Sequence, residues 1–323
     1  MYKGVVLYPP TLDWNFMVQR PQQIMKQFAN NGWCVFFCNQ TQNKSSDWLE
    51  KINENLFICN DFELLLTKLA KVDVLYISWA KHHNIVDKIK PNLVIYDKVD
   101  DFEEWEAYDL KMNKAADIMF TTSNTLYENN DHKSKFLIRN ACDYEHFQQK
   151  KFSPLLGIDK FKKPILGFIG AIGNWVDVDL LERIAKKYTV FVVGPEFGNR
   201  KPKNCIYYGI KNYAEINNFY RSIDIGIIPF KINRVSLSAN PIKMYEYLAS
   251  GKPVIATETP ETKLFPEHVH IFNKDNFEEV IQNIVENEND DIIEKRKLLA
   301  KENSWEIRFK EMEKIILQRL NKE

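Results

Sequence analysis

Short apolar runs alternating with amphipathic stretches, in two successive series of similar size, predict an α/β chain of two Rossmann-like units with a cleft between them. Three observations carry this. The runs are continuous and roughly four to eight residues long, as strands buried on both faces of a parallel sheet require. Helix-period patterns separate them, which is the alternation of an α/β fold. The series also restarts after an irregular, lysine-rich stretch at 148–163, and 323 residues is about twice the length of a typical single domain.

In chain order, the first series places strands at 2–8, 33–39, 55–59, 72–78, 93–96, 118–121 and 136–138. A helix at 21–30 carries Ile24, Met25 and Phe28 at helical spacing. The second series has strands at 164–170, 189–194, 206–208, 225–229 and 253–257, with helices at 178–187, 214–222 and 242–250. A polar loop is expected at 230–240. The final helix pattern, 304–320, has Ser304 as N-cap and Glu306 in its first turn. The expected division is 1–155, 156–303 and a terminal helix 304–323.

Composition narrows the function. Hydrophobic residues at 45% and charged residues at 27% exclude a disordered or fibrous chain. Basic and acidic residues number 44 each, for a net charge of +0, which argues against a duplex nucleic acid partner. No run approaches the roughly 18 apolar residues of a membrane span. The opening MYKGVVLYPPTLDW does not read as a signal peptide. Five cysteines, at 34, 38, 59, 142 and 205, are odd in number and lack CxxC spacing, so neither a zinc site nor a disulfide framework is expected. Tyr8-Pro-Pro-Thr-Leu-Asp follows the first strand where a nicotinamide dehydrogenase would carry GxGxxG. With its Lys- and Asn-rich composition, the chain is expected to be a bacterial cytoplasmic protein.

Segment 223–257 is the most informative. Pro229 ends a strand, Pro241 falls in the first turn of a helix, where its missing N–H costs nothing, and Asn240 is placed to cap that helix. Gly251 ends the helix and Pro253 opens the next strand. A helix N-terminus at the carboxyl ends of parallel strands suits a diphosphate. Lys243 and Glu246, three apart, share one face. A cation for phosphate and a carboxylate for sugar hydroxyls would together recognise a nucleotide sugar; a surface ion pair is the plain alternative.

The run NPIKMYEYLASGKPVIAT at 240–257 resembles the donor-binding motif of GT-B glycosyltransferases, in their family 4-like group. LGFIGAIGNWVD at 166–177, VVGP at 192–195, QRPQQ at 19–23, YDKVDD at 96–101, NACDYEHF at 140–147 and SWE at 304–306 resemble the same group. The resemblance implies a GT-B fold, with an acceptor domain first, a donor domain second and a C-terminal helix crossing back. It implies sugar transfer from a nucleotide-diphosphate sugar to a hydroxyl of a glycan or lipid-linked acceptor, in bacterial surface polysaccharide or glycoconjugate synthesis. Peripheral membrane contact would follow, and Lys150, Lys151, Lys160, Lys162 and Lys163 form a basic stretch that would meet anionic lipid or be a solvated linker. A non-catalytic nucleotide-sugar-binding subunit and a GT-B epimerase are the alternatives.

Residue by residue, Glu246 matches the second glutamate of the E-x7-E motif, which binds the donor ribose. The first glutamate is replaced by Ser238; Ser236, Ser238 and Asn240 remain as hydrogen-bonding groups there. The arginine and lysine that relatives place after the first donor-domain strand are absent from 170–177. Leaving-group charge would fall to backbone amides from Gly170 to Gly173, the helix start at Pro241, Lys243 and Arg234. On the acceptor side, Asp97, Asp100 and Asp101 are candidate bases, Asp100 preferred, with Lys98 one partner and helix capping the structural alternative. Arg20 is expected to face the cleft as an anion or sugar contact, and Trp14 to stack on a sugar or join the core. His82 and His83 read as a solvated loop, Asn124 as a turn or cap residue. Asp177 and Asp179 have DxD spacing but read as helix caps, and neither a cofactor nor an essential metal is expected.

Overall fold

The computed structural model describes residues 2–42, 47–149, 153, 155, 157–198 and 200–321. It forms two compact units, Met1–Arg139 with Trp305–Glu323, and Asn140–Ser304.

The first unit contains β1 (Val5–Tyr8), α1 (Arg20–Asn30), β2 (Cys34–Cys38), β3 (Leu49–Asn53), β4 (Leu56–Cys59), α2 (Phe62–Lys68), β5 (Val74–Ile77), α3 (Val86–Ile89), β6 (Leu93–Lys98), α4 (Glu106–Ala115), β7 (Ile118–Thr121), α5 (Asn124–Glu128) and β8 (Lys135–Leu137). Its sheet has the order β3-β4-β2-β1-β5-β6-β7-β8. Strand β1 pairs in parallel with both β2 and β5, so the chain reverses its direction of winding there, and the sheet has a topological switch point. Among the described strands of this sheet, β3 alone is antiparallel. Sequence reading passes over it because LEKIN has no apolar run: as an exposed edge strand it buries almost nothing.

The second unit contains α6 (Tyr144–Gln148), β9 (Ile165–Ile169), α7 (Val178–Ala185), β10 (Thr189–Val193), β11 (Ile206–Gly209), α8 (Tyr213–Ser222), β12 (Ile225–Ile228), α9 (Arg234–Ser238), α10 (Ile242–Ala249), β13 (Val254–Ala256), β14 (Val269–Ile271), α11 (Phe277–Asn287) and α12 (Asp290–Glu302). Its strand order, β11-β10-β9-β12-β13-β14, is wholly parallel and doubly wound, with the switch point between β9 and β12. The last helix, α13 (Trp305–Leu320), belongs to the first unit. Its Phe309 packs edge-on against Phe28 of α1 at 4.7 Å, and its Glu313 Oε1 accepts from Lys3 Nζ at 2.8 Å and from the Trp33 indole at 2.7 Å.

The structure moves three boundaries. Residues 140–149, expected to close the first domain, fold with the second: Asn217 Nδ2 donates to the His146 carbonyl at 3.1 Å and Gln148 Nε2 to the Ala249 carbonyl at 2.8 Å. The expected polar loop 230–240 contains α9, nucleated by a reciprocal cap between Asn233 and Ser236. The N-cap of α10 is Pro241 and not Asn240. Of the basic stretch, Lys150 and Lys151 lie outside the described residues.

The close approach of α10 to β12 depends on a glycine. A Cβ on Gly226 of β12 would lie 2.4 Å from the Tyr247 ring of α10, which packs flat on the strand. Tyr247 is fixed there, its hydroxyl donating to the Gly167 carbonyl at 2.7 Å and accepting from the Ile169 amide at 3.0 Å. Gly226→Ala is therefore expected to overpack this contact and cost about 1–3 kcal/mol, read as a lower urea midpoint. An unchanged midpoint would mean that α10 can shift off the sheet at little cost.

Candidate active site

The second unit's switch point assembles a charged site from α10, α8 and the turn after β9. Helix α10 starts just beyond β12 and α9, so its first turn lies at the carboxyl end of the parallel strands, where the peptide dipoles favour an anion. Lys243 sits in that turn. Its ammonium lies over the Phe168 ring at 4.2 Å and 5.5 Å from the Phe230 ring centroid. It makes no hydrogen bond or ion pair among the described residues. Burial lowers its pKa to about 8, with Glu246 opposing the shift. Gly170, at φ 144°, has only hydrogen where a Cβ would lie 2.5 Å from Lys243 Nζ, so any larger residue would displace the amine.

One turn further along α10, Glu246 is half-buried. Its Oε2 accepts from the Tyr220 hydroxyl of α8. Burial raises its pKa to about 7, against the Tyr220 hydrogen bond and the Lys243 charge, which lower it; Asp143, the N-cap of α6, adds to the rise. The site thus holds an amine and a carboxylate that both titrate near neutrality, because both are desolvated.

Other expected donor residues have different tasks. Asn240 is buried, and its amide group is used up inside the unit: Nδ2 donates to Glu261 Oε2 at 2.7 Å and to the Tyr245 hydroxyl at 3.1 Å, and Oδ1 accepts from the Asn140 amide at 2.9 Å. Asn240 is therefore a structural anchor. Ser238 is fully buried and its hydroxyl turns back to the Val235 carbonyl at 3.0 Å, while that of Ser236 donates to the Lys231 carbonyl. Of the amides from Gly170 to Gly173, those of Gly170 and Ile172 bond the Val193 and Pro195 carbonyls at 2.8 and 2.9 Å. Gly173 is packed under the Trp175 ring. Arg234 opens the short helix α9 and is exposed. Asp177 caps α7, accepting from the Leu180 amide at 3.0 Å, and Asp179 pairs with Arg200.

In the first unit, the acids after β6 separate. Asp97 is fully buried, and Arg20 of α1 grips it with two bonds, Nε to Oδ2 at 2.7 Å and a second guanidinium nitrogen to Oδ1 at 2.8 Å. Arg20 also donates to the Arg139 carbonyl at 3.2 Å and lies 5.9 Å from the Trp305 ring centroid of α13. Arg20, expected as an anion or sugar contact, and Asp97, expected as a candidate base, form an internal ion pair, because a side chain from α1 reaches a strand end two positions away in the sheet. Lys98 is buried against Asp109 of α4, which also accepts from the Tyr96 hydroxyl. Asp101 is also buried. Asp100 is half-buried, and burial, reinforced by Asp101 and opposed by Lys98, lifts its pKa to about 6.

Trp14 is half-buried edge-on to Phe37 at 5.1 Å, which places it with the core. His82 is half-buried, its Nε2 2.8 Å from the Pro10 carbonyl, and is not a solvated loop residue. Asn124 is the first residue of α5, whose cap is Ser123, and accepts from Arg139 at 2.9 Å. Sequence reading missed Tyr220 and Asp109. No spacing rule links a phenol on α8 with a carboxylate 26 residues later on α10.

No family model matches the chain. A Bacillus subtilis (strain 168) protein, named as a proposed teichuronic acid biosynthesis glycosyltransferase, TuaH, is 31% identical over 173 residues, 48% of this chain. The match spans 43% of that protein, less than half of its length. Among solved structures, a sucrose-phosphate synthase from Thermosynechococcus elongatus superposes with a TM-score of 0.76 at 12% identity, over 99% of each chain. Anabaena HepE, solved with UDP-glucose, gives 0.72 at 11% identity over 99% of each chain. A glycosyltransferase from Rickettsia africae gives 0.67 at 15% identity, also over 99% of each.

Proposed function

We propose that this chain, which has the GT-B glycosyltransferase fold, moves a hexosyl unit from a nucleotide-diphosphate sugar to an acceptor hydroxyl. The observation that carries this is the Lys243 ammonium, desolvated over two rings and without a hydrogen-bond acceptor among the described residues, one helical turn from Glu246 at a parallel-sheet switch point. An amine so placed lacks an anion, and a diphosphate supplies one. The Glu246 carboxylate then accepts from ribose hydroxyls. As the bond between the anomeric carbon and the diphosphate oxygen breaks, negative charge collects on that oxygen, beside Lys243 and the α10 N-terminus. The acceptor oxygen forms the new bond to the anomeric carbon and gives its proton to a general base, for which Asp100, its pKa raised by burial to about 6, is the candidate. The nucleoside diphosphate leaves.

With the amine and the helix dipole answering the leaving-group charge, the reading needs neither a cofactor nor an essential metal. The TuaH name and the UDP-glucose of HepE favour a uridine nucleotide donor and a surface polysaccharide or lipid-linked acceptor. That setting is cytoplasmic, at the inner face of the membrane. Among the described residues, no helix is long and apolar enough to cross a membrane.

Calorimetric titration with UDP, GDP, dTDP, ADP and CMP tests the reading. One nucleoside diphosphate is expected to bind, and Glu246→Ala to weaken it by about 1–3 kcal/mol, as loss of a hydrogen bond to a charged group does. Binding of none, or indifference to Glu246→Ala, would remove the donor assignment. Binding without turnover across nucleotide-sugar and acceptor panels would point to a non-catalytic subunit.

A further inference from the structure

The geometry points to Tyr220 as a positioning residue for the donor site: from α8 its hydroxyl holds the Glu246 carboxyl group in place before any nucleotide arrives. This rests on the donor-site reading above and adds a residue that no sequence motif marks.

Tyr220 is itself rigid. It is buried, with Phe147 edge-on at 5.1 Å on one side and Tyr247 tilted at 5.1 Å on another. Tyr247 is in turn tied to β9 through the Gly167 carbonyl and the Ile169 amide. The phenol therefore stands at a fixed distance from the sheet, and its hydroxyl donates to Glu246 Oε2. The bond engages one carboxylate oxygen and leaves Oε1 for a ligand hydroxyl. A free glutamate would lose rotamer freedom on binding, and here that loss has already been taken in folding.

The same bond acts on protonation. The groups acting on Glu246 are Tyr220 from α8, Lys243 from its own helix and Asp143 from the start of α6; Tyr247, one residue on, feels its charge. Burial and Asp143 favour the neutral acid; Tyr220 and Lys243 favour the carboxylate. Removing the hydroxyl takes away one of the two groups that keep Glu246 ionised near neutral pH. Tyr220→Phe keeps the ring and its packing, so it isolates the hydroxyl.

The experiment is a UDP titration between pH 5.5 and 9 on wild type, Tyr220→Phe, Glu246→Gln and the double variant, with thermal melts and a ¹³C carboxyl titration of Glu246. Tyr220→Phe is expected to weaken UDP roughly tenfold at pH 7. The pH midpoint of binding and the carboxyl titration should both move upward, and the variant should melt cooperatively. In the Glu246→Gln background the Tyr220→Phe effect should largely vanish, since the two residues act as one unit. Equal affinity and an unmoved midpoint in Tyr220→Phe would overturn the role, as would a loss that persists in full beside Glu246→Gln. A wild type that binds no nucleoside diphosphate would instead remove the donor-site reading, and this role in binding with it.

Discussion

Lys243→Ala is expected to lower turnover about 10²–10³-fold, the loss that follows removal of one group stabilising transition-state charge in a water-poor site. The effect should fall on kcat more than on KM, because the diphosphate gains negative charge only as the sugar departs. The wild-type pH profile carries the same information. Glu246 becomes a carboxylate above about pH 7, and Lys243 stays an ammonium below about pH 8, so turnover should peak between these values and fall on either side. Lys243 has a folded-state pKa below its free value. Its charged form therefore opposes folding below about pH 8, and stability is recovered as the pH rises from there into the free amine's range. Lys243→Met should consequently melt higher than wild type at pH 7 while losing turnover. A variant that melts lower and turns over normally would show that the lysine serves packing alone.

Asp97→Ala is expected to destabilise the first unit by about 3–5 kcal/mol, since it leaves the buried Arg20 guanidinium without its counter-charge. Replacing both partners, with Arg20→Met and Asp97→Leu, should recover most of that loss, because two apolar side chains need no mutual charge. Urea unfolding read by far-UV circular dichroism separates the cases. If Asp97→Ala kept its stability and lost turnover, the ion-pair account would be wrong and Asp97 would return as a candidate base. Asp100 has the opposite profile: it is half-buried rather than enclosed by a cation, so its substitution bears on chemistry.

The strands and most helices of both units were readable from the order of the residues, because a strand buried on both faces and a helix with one apolar face write their periods into the chain. Val178–Ala185 and Ile242–Ala249 are legible in this way, and so are Lys243 and Glu246 as a pair, whose separation of three places them on one helical face. What local pattern misses is anything whose reason lies across the sheet. The edge strand Leu49–Asn53 buries too little to mark itself. Asn240 looks like a cap beside Pro241, and its amide is instead captured by Asn140, Tyr245 and Glu261.

The acids after β6 show the division most clearly. By itself the sequence determined that Asp97, Asp100 and Asp101 cluster at the carboxyl end of a parallel strand, and that Lys243 and Glu246 share the first turns of a helix at another. Only the tertiary structure decided which of these charges are spent. Arg20 arrives on Asp97 from 77 residues away, Asp109 takes Lys98, and Tyr220 takes one oxygen of Glu246, while Lys243 is left over two aromatic rings. The physical reason is that secondary structure follows from periodicity within a few residues, whereas the protonation and availability of a charge follow from desolvation and from partners that only the folded chain brings within hydrogen-bonding distance.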